Sequence, residues 1–282
     1  MGLSASSLVY QPIYLVRRHP AVRALIGRHR EWAAASLWFA LLTVIILGMC
    51  LLDERTFNGV SVWSKPFKFA LSTTVYFATL AWFAPLLPEH FFRRPAGWLL
   101  TWLPIVCATL EVAYITIQGA LGQASHFNTS TPFHRTMYTL MAFGAIGLVG
   151  TCAWFAMLLL TRYRLKNLYC TGVIIGLLLT FLLGGGFGMY LGGQEHHWVN
   201  ATMSDADGVW LFNWSTTGGD LRVAHFFGIH AMQIVPLFAY AVRSHARGLL
   251  LTVAFALGYA KFTCATFLQA SSGLPLLLTL RG

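Results

Sequence analysis

The chain has 282 residues, of which 57% are hydrophobic and only 10% charged, against about a quarter charged in soluble domains. That balance excludes an ordinary soluble domain, a disordered chain, a collagen and a disulfide scaffold. A formal net charge of +10, from 19 Lys and Arg against 9 Asp and Glu, points to an anionic partner, and the position of the charge decides which one.

Residues 1–32 form a basic N-terminal segment. Gln11 to Trp32 interleaves Ile13, Leu15, Val22, Leu25 and Ile26 with Arg17, Arg18, Arg23, Arg28 and Arg30. It reads either as an interfacial helix on anionic headgroups or as the basic flank of a first span. It lacks the apolar core of a cleavable signal, so the first long apolar run is expected to stay in the membrane as an anchor.

Seven apolar runs then follow, each near the ~20 residues a helix needs to cross about 30 Å of hydrocarbon. They lie at 33–52, 67–87, 97–121, 136–160, 168–192, 223–242 and 248–270. The expected fold is an all-α transmembrane bundle over 33–270, with one long loop at 193–222. Basic residues orient it. With the N-terminus in the cytoplasm, 12 of the 19 basic residues face inward against Glu31 and Glu89 alone. Six basic and six acidic residues lie outside. Seven crossings put the C-terminus outside, and the setting expected is a bacterial inner membrane. The surplus charge then belongs to anionic inner-leaflet lipid, and no nucleic acid is implied.

Within the spans, Gly184, Gly188 and Gly192 form a small-residue ridge suited to close helix packing. Pro104 and Pro236 each remove a backbone donor. Cys50, Cys107, Cys152, Cys170 and Cys264 lie in or at the ends of spans with no metal-binding spacing, as structural thiols do.

Two charges remain inside the membrane, Glu111 and Lys261, where each costs roughly 2.5–3.5 kcal/mol. Each sits about 14 residues, ~20 Å, from the cytoplasmic end of its span, and His230 reaches a similar level from the other side. If the third, sixth and seventh spans adjoin, the three share one plane as a reacting group. Gln118 lies on the face of Glu111 two turns outward, and Gln233 follows His230 by three. Both are candidate cofactor-binding side chains in a polar seam leading outward.

Histidines gather at the outer mouth. His126, His196, His197 and His225 are candidate ligands for a transition metal or for a shallow haem. The spacing is no metal signature: His196 and His197 are adjacent, and His225 and His230 stand about 140° apart on a helix. Lys65 and Lys68 begin the second span one turn apart, either snorkelling to headgroups or lining the mouth with positive charge. Asp220 precedes the sixth span as an N-cap or a partner of Arg222.

Four functions fit these residues: a metal or haem redox protein at the outer ends of spans three, five and six; a non-catalytic assembly subunit; a proton-coupled transporter of a small solute; and a retinal photoreceptor using Lys261 and Glu111. The N-in, C-out orientation resembles that of the heliorhodopsins, in topology and two residue types. No matching motif surrounds Lys261 in Gly-Tyr-Ala-Lys-Phe-Thr-Cys. No P-loop or GxGxxG appears, so nucleotide chemistry has no support.

Overall fold

The computed structural model describes residues 29–163, 165, 167–206 and 208–277. The basic segment before residue 29 lies outside them. Seven helices are long and apolar enough to cross a membrane: α1 Arg30–Leu52, α2 Ser64–Leu86, α3 Pro95–Ala120, α4 Pro132–Tyr163, α5 Leu168–Gly192, α6 Arg222–Ala241 and α7 Gly248–Ser271. Lipid is thus the surrounding these faces suit. Each begins and ends within a few residues of its apolar run, because polar flanks extend a helix until a cap or proline stops it. His29 caps α1 by accepting from Trp32 N, and Asn167 caps α5 by accepting from Cys170 N. Pro95 and Pro132 occupy first turns, where the missing N–H costs nothing.

Neighbouring helices meet through aromatic pairs and small residues. Phe39 of α1 stacks on Phe77 of α2 at 5.7 Å, and Phe238 of α6 on Phe255 of α7 at 4.1 Å. Between α3 and α4, a Cβ added at Gly147 would come within 2.9 Å of Cys107 Sγ. The closest approach joins α5 and α6: a Cβ at Gly228 would lie 2.5 Å from Gly184 N. Gly184 and Gly188 of the glycine ridge therefore face α6, while Gly192 lies toward Tyr138 of α4.

Within α5, Thr180–Gly185 is a π-helical turn, a device that widens the ladder and turns carbonyls outward. The apolar pattern carries no sign of it. Both α3 and α6 run through Pro104 and Pro236 without a break.

The polar loops 53–63, 121–131 and 193–221 meet at one end of the bundle, called here the histidine end. A hairpin, β1 Thr56–Phe57 with β2 Val60–Ser61, turns through Asn58-Gly59 at positive φ, the sequence a two-residue hairpin turn favours. Asn58 O accepts from Asp205 N at 2.9 Å. In the long loop, β3 Trp198–Val199 pairs with β4 Gly219–Asp220, bringing residues 198 and 220 side by side.

Candidate functional site

The site is built on one face of α3. Glu111, Tyr114 and Gln118 stand at i, i+3 and i+7, and only 8%, 6% and 3% of their surface is exposed. Glu111 Oε2, Tyr114 OH and Gln118 Oε1 are buried without a hydrogen-bond partner. Orphaned buried polar atoms are rare in folded proteins, so three on one helix face single this row out. Gly144 of α4 backs Glu111, 3.9 Å from Oε2 once a Cβ is drawn there.

The cation whose charge acts on Glu111 is Lys65. It lies on the first turn of α2, and its charge and that of Glu111 act on one another. Its Nζ makes no direct hydrogen bond among the described residues and lies 6.0 Å over the Phe69 ring. Lys68, one turn on, donates to Asn213 Oδ1 at 2.7 Å and to Phe212 O at 3.1 Å. Its acceptors are neutral, so its charge is uncompensated by direct contact. The sequence showed both lysines at the mouth; that the charge of Lys65 acts on Glu111 depends on the packing of α2 against α3.

His126 lies in the loop after α3, against Phe69, which also packs on the cluster of Tyr114, Ile115 and Met141. Its ring lies 5.6 Å from Phe69 and 5.9 Å from Tyr138, and Nδ1 is 3.2 Å from Ser125 Oγ. Phe127 beside it holds φ +57°, a strained value for a bulky residue. Burial holds the His126 pKa well below that of a free imidazole, and the charges of Lys65 and His225 add to the effect. The ring is neutral at neutral pH. His225 enters from α6 and donates Nδ1–H to Gly184 O at 2.9 Å, a carbonyl of the π-turn. Gly188 leaves space for that ring.

The remaining sequence candidates lie elsewhere. His230 Nδ1 is 3.3 Å from Gln233 Oε1, and Gln233 Nε2 donates to Thr79 Oγ1 of α2 at 3.1 Å. They form a separate chain between α6 and α2. Lys261 is exposed on α7, which packs on α6 and α5, and it makes no hydrogen bond or ion pair with Glu111 or His230 among the described residues. His197 stacks on Trp198 at 3.9 Å with Nε2 3.5 Å from Asp205. His196 lines an outer cavity of about 340 Å³ with Tyr190, Trp198 and Leu221. The four histidines do not converge, and among the described residues no three His, Cys, Asp or Glu form a metal-holding group.

A charge network beneath the long loop braces the mouth. Arg222 Nη2 contacts Asp220 Oδ2 at 2.6 Å and Asp205 Oδ1 at 2.8 Å. Asp220 also accepts from Ser215 N and Arg222 N. Burial raises the Asp205 pKa, but the nearby His197 and the Arg222 guanidinium outweigh it and hold the carboxyl below its ordinary value.

Compared with family models, curated proteins and solved structures, the chain matches none. Function must therefore be argued from the site's chemistry.

Proposed function

We propose that this chain is an integral membrane protein that binds a small polar solute at the histidine end, in the manner of a proton-coupled transporter. Sidedness follows the basic residues, which put that end outside the cytoplasm. The carrying observation is the row of unpartnered Glu111, Tyr114 and Gln118 atoms, with the charge of the unbonded Lys65 acting on Glu111. Lys65 is a donor that needs an acceptor, while Glu111 and Gln118 offer acceptors that need donors. A small zwitterion, amino-acid-like in size, satisfies both. Glu111 and neutral His126 are the groups placed to exchange a proton with it.

The test is a thermal-shift measurement on purified protein with glycine, betaine, ethanolamine, acetate and inorganic phosphate. At least one zwitterion raises the melting temperature of the wild type and has no effect on Glu111→Gln or Lys65→Met. No shift with any compound, or a shift both variants retain, removes this reading.

A metal or haem centre is the second reading, and one feature favours it. His225 spends its Nδ1–H on Gly184 O, which fixes the tautomer that leaves Nε2 free, as in metal-bound histidines. His126 is close enough for their charges to interact. An absorption spectrum with elemental analysis of the purified protein decides it: a Soret band or stoichiometric metal, lost in His225→Ala, supports the centre, and neither removes it.

A further inference from the structure

Lys261 is the polar group that the site leaves unexplained. It stands ten residues from the histidine end of α7 and thirteen from the other, so in a bilayer it lies about 15 Å and about 20 Å from the two ends. A lysine stem spans roughly 6 Å and does not snorkel over either distance. Its side chain is exposed and makes no hydrogen bond or ion pair among the described residues. Charges at this depth occur where a partner or water compensates them.

The surroundings of Lys261 are shaped for a partner. Ala254, Gly258, Lys261, Ala265 and Leu268 are all exposed and follow one another at steps of four, three, four and three. That rhythm is the seam of two helices crossing at about 20°. A Cβ at Gly258 would meet nothing within 4 Å. Small residues on such a seam let a second backbone come close. Of the seven spans α7 is also the least covered, with 22% of its apolar window buried against 50% in α5.

We propose that the Ala254–Gly258–Lys261–Ala265–Leu268 stripe docks a transmembrane helix of a second protein that carries an Asp or Glu at the depth of Lys261. Charge chooses the occupant. A second copy of this chain meeting it about a two-fold axis sets Lys261 against Lys261, and like charges in hydrocarbon repel. A carboxylate neutralises the lysine and accepts its hydrogen bond. The stripe lies on α7 and shares no residue with the row of Glu111 or with Lys65, so the inference stands apart from the solute site.

The probe is a synthetic Leu/Ala transmembrane helix of about 23 residues with one central Glu, compared with twins carrying Gln or Leu. Each is reconstituted with the full-length protein in phosphatidylcholine vesicles, and association is read by energy transfer. The Glu helix is expected to bind at least tenfold tighter than the Leu twin. Lys261→Met abolishes the difference and Lys261→Arg keeps it. Lys261→Met removes an exposed charge from lipid, so an unchanged or raised melting temperature verifies that it folds. Equal binding of the three helices overturns the proposal, as does a preference for Glu that survives Lys261→Met. Self-association overturns it too, if oxidation of exposed Cys264 beside the stripe traps a disulfide-linked dimer and no helix is preferred.

Discussion

Lys65 of α2, and not Lys261 of α7, is the cation whose charge reaches Glu111 of α3. The two are coupled through low-dielectric surroundings, where charge interactions are stronger than in water. A double-mutant cycle with Glu111→Gln and Lys65→Met is therefore expected to give a coupling energy of about 0.5–3 kcal/mol in unfolding measurements in detergent. The cycle of Glu111→Gln with Lys261→Met should be additive within about 0.5 kcal/mol. The reverse pattern would place Lys261 beside Glu111 and overturn the site described above.

Arg222 holds two carboxylates at once, and the side chain of one of them, Asp220, is only 1% exposed. Removing one member of a buried ionic group strands the others and costs about 3–5 kcal/mol. Arg222→Met should lower stability by that order and open loop 193–221 to protease, while Arg135→Met at an exposed position changes neither. Adding Asp220→Asn to Arg222→Met should recover part of the loss. Equal protease resistance of Arg222→Met and wild type would show that the network does not brace the loop.

The spans were legible because a bilayer demands long apolar runs, and that demand overrides every local propensity. The shared face of Glu111 and Gln118 was legible too, from a spacing of seven. The partner of Glu111 was not. In a soluble bundle an apolar stripe marks the inward face, whereas lipid and core are both apolar here and the stripe disappears. The apolar pattern thus gave no means of reading which way Lys261 faces. Lys65 escaped notice as a partner because it begins α2 at the mouth, and spacing along one helix says nothing of a charge on another. The π-turn that frees Gly184 O for His225 has no sequence signature beyond its glycines, which also serve packing.

Gly228 and Gly184 bring α5 and α6 into backbone contact, and neither backbone is free to yield. Gly228→Val is expected to prevent folding or to cost several kcal/mol, by the overpacking that rigid interiors do not relieve. Gly186→Ala is the matched control, since a Cβ there meets nothing within 4 Å. It should fold with wild-type yield and gain slightly from reduced freedom of the unfolded chain. Detergent-extracted yield and melting temperature measure both. A well-folded Gly228→Val protein would refute the close α5–α6 contact.

Acid should loosen the histidine end. Burial lowers the pKa of His126, and Lys65 and His225 lower it further. His197 is also lowered chiefly by burial; the nearby Asp205 carboxylate only partly opposes the shift, and Arg222 adds to it. In the unfolded chain both return to about 6.5. Below that value the unfolded state binds protons the folded state refuses, so stability rises with pH there. The stabilisation is complete above about 6.5 and is lost as pH falls toward the lowered folded values. Asp205, held low by His197 and Arg222, adds its own loss only at still lower pH, below the carboxylate range. Melting temperatures taken from about pH 7.5 down to about pH 5.5 should therefore fall, by up to about 1.4 kcal/mol per pH unit for each histidine. His126→Gln and His197→Gln each keep a neutral polar side chain and should flatten the slope in proportion. A slope unchanged in the double variant would assign the acid sensitivity to other groups.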